Sequence, residues 1–222
     1  MICKNDSKPN FKKAMDEANM LLVSSSTVSS FPFSIKKLIK EKTNIAIRNY
    51  DKAASYGVNV EDFGSEDATI INANERFIIF YNQNICNQSR KVFSITHELG
   101  HYKLGHNLLD NKNYDRYEIE TNFFSAQLLM PEQIINELIR RGKKITEKNL
   151  MEWFGVSFIA AQKRLETLRK IDFRLRSTAE KELDDLIVFK YKDFIDSIAP
   201  VNLKYFDPYE EEEMQNERDS WL

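Results

Sequence analysis

The chain has 222 residues, a formal net charge of −2, 15 Phe and 9 Tyr, which is ample apolar and aromatic material for a packed core and excludes a wholly disordered protein. Its two cysteines, Cys3 and Cys86, are too few for a disulfide framework, lack CxxC spacing, and read as reduced thiols. The first 23 residues contain no clean apolar segment ending in a small-residue cleavage site, and no apolar run approaches bilayer length, so a soluble cytoplasmic protein without membrane contact is expected.

Taken in chain order, Phe11 to Val23 reads as a helix with Phe11, Met15, Ala18 and Leu22 on one stripe. "SSSTVSSFPF" breaks it, and Ser34 is a plausible N-cap for a second helix, "IKKLIKEK". "NIAIRNY" alternates like a short strand. After the turn-rich "YGVNVEDFGSED", the runs "ATIIN" (68–72) and "RFIIFYN" (76–82) are separated by a hairpin-length connection. "SRKVFSITHELGHYKLG" is helical in character, with Ser89 a reasonable N-cap. A polar loop leads to a second strong helix, Tyr117 to Met130, which Pro131 bounds. "PEQIINELIRRG" starts another helix closed by Gly142, and "TEKNLMEWFGVSFIAAQKRLETLRK" reads as helix, tight turn, helix. An amphipathic stretch and an acidic end, "YEEEEMQNERDSWL", follow.

All three histidines of the chain lie within "HELGHYKLGH", residues 97–106. His97-Glu98-Leu99-Gly100-His101 is an HExxH motif: on a helix, positions i and i+4 sit one above the other, so both imidazoles can reach one metal ion. Glu98 is then placed beside the open coordination position, where it can take a proton from water and deliver it to a leaving amine. A catalytic site needs a third ligand, for which Glu118, Glu120 and His106 are candidates. Glu118 and Asn122 form an i,i+4 pair, so that Glu118 could bind metal while Asn122 orients a ligand histidine from behind. His106 follows His101 one residue too early for the HExxHxxGxxH pattern. Tyr102 and His106 are also candidates for contacting substrate or stabilising an oxyanion.

"RKVFSITHELGHYKLGH", "EIETNFFSAQLLMP" and "WFGVSFIAAQKRLETL" resemble the ImmA/IrrE family of zinc metallo-endopeptidases over roughly residues 10–170. The resemblance implies a gluzincin-like Zn²⁺ site with His97, His101 and Glu118 as ligands and Glu98 as general base. It implies as substrate a helix-turn-helix transcriptional repressor, cut at one site to relieve repression. Thr121 and Ser125 stand where the family usually has Ala, small-for-small changes that leave the ligand positions untouched. The acidic tail beyond about residue 176 lies outside the resemblance.

The expected fold is α+β: a zincin-like metallopeptidase domain over 1–142 with a small antiparallel sheet and the HExxH helix. A helix-turn-helix-like subdomain over 143–176 and a C-terminal helix with acidic tail over 177–222 complete it. The strand "RFIIFYN" would suit a peptide adding itself to an exposed edge. Charge supplies the rival reading. Residues 140–176 carry eleven Lys/Arg against four Asp/Glu, and 177–222 carry five against thirteen. Arg140, Arg141, Lys143, Lys144, Lys163 and Arg164 could contact DNA through 146–170. The alternatives are therefore a DNA-binding protein or a toxin–antitoxin-type interaction module, with a zinc site that catalyses nothing.

Overall fold

A computed structural model describes residues 8–73, 76–107, 110, 112–170 and 176–201. Helix α1 (Phe11–Ser24) is capped by Asn10, whose side chain accepts from Lys13 N at 3.0 Å. Its inward stripe is Ala14, Ala18, Leu21 and Leu22, rotated from the expected one. Phe11 stays 45% exposed and meets the Phe123 ring at 5.1 Å. Helix α2 (Ile35–Lys42) begins after Ser34 and buries Ile35, Leu38 and Ile39. The serine-rich break between the two is gathered by the Glu41 carboxylate, which accepts from Ser25 Oγ, Ser26 N and Thr27 Oγ1 at 2.6–2.7 Å.

Strands β1 (Ala46–Asn49), β2 (Ala68–Ala73) and β3 (Arg76–Tyr81) form one sheet in the order β1-β3-β2. It is mixed rather than antiparallel. β2 and β3 form the expected hairpin, with Ile70 opposite Ile79, but β1 runs parallel to β3, with Ile47 opposite Ile79. The reason lies in the connection after β1. Residues 50–67 hold two 3-10 helices, Tyr50–Tyr56 and Val60–Asp62, which give the chain the length to cross over before the hairpin reverses it. Tyr50 and Ala53 from this crossover pack on Ile78 and Phe80 as a small second core. "RFIIFYN" is consequently the interior strand, and β2 lies at an edge.

Helix α3 (Gln88–Leu104) packs across β2 and β3, and α4 (Tyr114–Leu129) packs on α3 and α1. Asn87, not Ser89, caps α3, accepting from Arg90 N at 3.1 Å. The main core is centred here, with Leu22, Ile39, Ile79, Ile95, Leu99, Phe124 and Leu128 all fully buried, each side chain worth about 1.5–3 kcal/mol of transfer free energy.

Helix α5 (Glu132–Arg140) follows Pro131. Helices α6 (Glu147–Phe154) and α7 (Phe158–Leu168) are joined by the short turn at Gly155, with Thr146 and Ser157 as their N-caps. Helices α8 (Thr178–Lys190) and α9 (Lys192–Ile198) return to the same core: α8 packs on α1 and α5, and Phe31 meets Phe154, Tyr191 and Phe194 at 5.1–5.3 Å between ring centroids. The basic segment is less free than its sequence suggests. Arg140 and Arg141 pair with Glu137, and Arg141 also with Asp196. Arg164 is fully buried, donating to Met130 O and Gln127 Oε1, so this cation serves packing and is withdrawn from any phosphate. Among the described residues no helix is long and apolar enough to cross a membrane.

Candidate metal centre

The site is built where α3 crosses α4. Helical spacing puts His97 and His101 on one face of α3, and α4 brings Glu118 opposite them. His97 Nε2 and His101 Nε2 are 3.2 Å apart. Glu118 Oε2 is 3.3 Å from His97 Nε2, and Glu118 Oε1 is 3.3 Å from His101 Nε2. Two imidazole nitrogens and a carboxylate thus converge on one point, and they are the group among the described residues that could hold a metal ion.

What lets the two helices approach is Gly100. A Cβ there would lie 2.9 Å from Phe124 Cδ1, 3.2 Å from Thr121 Cγ2 and 3.3 Å from Thr121 Cβ, so any side chain must displace the Phe124 ring or the helix that carries it. Gly100→Ala should therefore destabilise the metal-free protein by about 1–3 kcal/mol and weaken metal uptake together, read by denaturant unfolding and metal titration. Wild-type values for both would show that the contact is unimportant. Thr121 and Ser125 are both buried on the packed side of α4, where a small residue is required.

Electrostatics prepare the same site. Hydrogen bonds from His101 and His97 hold the Glu118 carboxyl far below the usual carboxylate range. Burial alone would lower His97, but the Glu118 hydrogen bond, the charges of Glu98 and Glu118 and a hydrogen bond with Asn122 raise it. Asn122 lies on α4 one turn beyond Glu118. Glu98 is outside the ligand triangle. Its Oε2 accepts the Ile70 N–H from edge strand β2 at 2.8 Å, and burial pushes it up to about 7, where a carboxylate can both take and return a proton near neutral pH.

The remaining candidates fall elsewhere. Glu120 does not join the group of His97, His101 and Glu118. Its side chain is only 9% exposed and meets His106 Nε2 at 2.8 Å. His106, with its side chain 3% exposed, lies behind His101 at 3.1 Å between their Nδ1 atoms, too deep to touch substrate. Tyr102 turns away to pack edge-on against Phe77 at 5.0 Å. Sequence reasoning missed Tyr114, which opens α4 one turn before Glu118 and is 57% exposed. The charge of Glu118 first, then burial and Glu98, raises its phenol, so it stays a donor. Its i,i+4 spacing from Glu118 was the available signal.

A search of curated proteins finds no match to the chain. The Peptidase_M78 family model, described as the IrrE N-terminal-like domain, matches residues 53–166, a span that includes helices α3 and α4 and edge strand β2. The chain belongs to this metallopeptidase family.

Proposed function

We propose that the protein is a zinc-dependent endopeptidase that cuts a helix-turn-helix repressor at one site. The observation carrying this reading is the ligand triangle, with edges of 3.2, 3.3 and 3.3 Å. Zinc bonds of about 2.0–2.1 Å in a tetrahedron place ligands roughly 3.3–3.4 Å apart, so three corners are already in position and the fourth is left for chemistry. Zn²⁺ held by His97, His101 and Glu118 would polarise the scissile carbonyl and acidify water. Glu98 takes the proton from the attacking water and hands it to the departing amine. Tyr114 offers an O–H to the carbonyl oxygen as it gains charge. The edge of β2, beside Glu98, receives the substrate as an added strand. A segment drawn out of a folded repressor could bind in this way, which favours a single accessible cut over general digestion.

The test is incubation of the zinc-loaded protein with helix-turn-helix repressors of its own cell, with fragments read by mass spectrometry. One new pair of fragments, abolished by a chelator and restored by Zn²⁺, is expected. Stoichiometric zinc with every repressor intact overturns the substrate assignment. Metal-dependent cutting of unfolded proteins in general keeps the peptidase and discards the specificity.

A further inference from the structure

His106 and Glu120 are left over by this mechanism, yet both are buried and connected to it. We infer that they are positioning residues, a hydrogen-bonded relay that fixes His101 as a metal ligand and strengthens it as a donor. The inference rests on the metallopeptidase reading above.

The geometry begins at the end of α3. Gly105 adopts φ 66, and its N–H donates to Tyr102 O while His106 N–H donates to His101 O, both at 3.1 Å. This double closure ends the helix and swings residue 106 back over the last turn. The His106 ring therefore arrives behind His101 rather than in front of the metal position. It stacks on Tyr117, with centroids 4.1 Å apart and 15° between planes, which fixes its orientation.

Proton positions then follow from one requirement. His101 Nε2 faces His97 and Glu118; whatever proton it shares with Glu118 in the metal-free chain, it must give up to bind metal, so in the metal-bound state the His101 proton is on Nδ1. At 3.1 Å His106 Nδ1 must accept it. His106 in turn carries its proton on Nε2 and donates to Glu120 Oε2 at 2.8 Å. The other carboxylate oxygen, Oε1, accepts the Asn10 N–H at 2.7 Å, at the start of α1, with Arg116 Nε at 3.8 Å. Every donor points the same way, toward a buried negative charge. Such an alignment raises the electron density on the ligand nitrogen and locks its tautomer. A buried carboxylate would be costly without partners; here each oxygen has one.

Three variants test the inference through metal affinity rather than turnover. Zn²⁺ dissociation constants would be measured by competition with a chromophoric chelator, beside unfolding of the metal-free proteins. His106→Phe keeps the ring on Tyr117 but loses both nitrogens, and should weaken zinc binding about 10–100-fold. His106→Asn packs worse but offers an oxygen near the Nδ1 position, and should recover most of that loss. Glu120→Gln keeps shape without charge and should fall between them. The inference is overturned if His106→Phe binds zinc within about two-fold of wild type. It is equally overturned if the Phe and Asn variants are equally weak, or if affinity merely tracks the unfolding of the metal-free chain. A wild type that takes up no zinc would instead remove the metallopeptidase reading itself.

Discussion

Glu98→Gln is expected to lower kcat for peptide hydrolysis by about 10³-fold, within the range for a lost general acid–base, while bound metal stays unchanged. Glu98 stands outside the ligand triangle, so the substitution removes no metal ligand. Gln has the same shape, and its carbonyl oxygen can still accept the Ile70 N–H. The same substitution should alter the stability of the metal-free protein in a pH-dependent direction. The Glu98 carboxyl titrates at about 7 in the folded chain against an ordinary value of 4.5. A raised carboxyl contributes stability that is fully present below 4.5 and lost as pH rises through 7. His97, also raised, loses its contribution in the same direction. Glu98→Gln removes a cost of roughly 3 kcal/mol above neutrality. The metal-free variant should therefore melt above wild type at about pH 8 and alongside it at about pH 4. Elemental analysis, a peptidase assay and thermal unfolding at the two pH values check all three statements. A Glu98→Gln variant that still cuts at the wild-type rate removes Glu98 from the mechanism.

The HExxH spacing was legible because helix geometry alone places His97 over His101, whatever else packs around them. The carboxylate that joins the two histidines was not, because Glu118 and Glu120 are both reachable in sequence. Two residues apart on a helix they point about 200° from each other, so only one can face α3. The tertiary fit decides: Thr121, Phe124 and Leu128 are buried in the packing of α4, which turns Glu118 to the histidines and Glu120 back toward Asn10 and His106. His106 was misplaced for a related reason. A spacing one residue short of a familiar pattern looked like a displaced ligand, whereas the double closure at Gly105 reverses the side chain's direction. The sheet shows the same limit. Alternation found β1, and β-prone runs a hairpin's length apart found β2 and β3, but the parallel pairing of β1 with β3 depends on a crossover whose 3-10 turns leave no periodic signal. Arg164 read as a surface cation because a charge carries no sign of burial, and only the Gln127 and Met130 acceptors make its interior position tenable.

Glu118→Ala should reduce Zn²⁺ affinity beyond the roughly 10–100-fold range of residues acting from behind a ligand, and hence beyond Glu120→Gln. Glu118 is the negatively charged member of the triangle and contacts both histidines through separate oxygens. Without it two neutral imidazoles remain, too few for a closed catalytic set. The metal-free chain should respond as well. Because hydrogen bonds from His101 and His97 hold the Glu118 carboxyl below its ordinary value of 4.5, its contribution is present above 4.5 and lost as pH falls through the folded-state value. Glu118→Ala should thus destabilise the metal-free protein at neutral pH, with the difference shrinking in acid. Adding zinc separates the two effects. At a free concentration about 100 times the dissociation constant, wild type gains about 2.7 kcal/mol, whereas the variant at the same concentration gains little. If Glu118→Ala keeps the zinc-induced rise in melting temperature and Glu120→Ala loses it, the ligand set must be redrawn with α4 turned by half a rotation, and the triangle of 3.2, 3.3 and 3.3 Å no longer describes the metal-bound state.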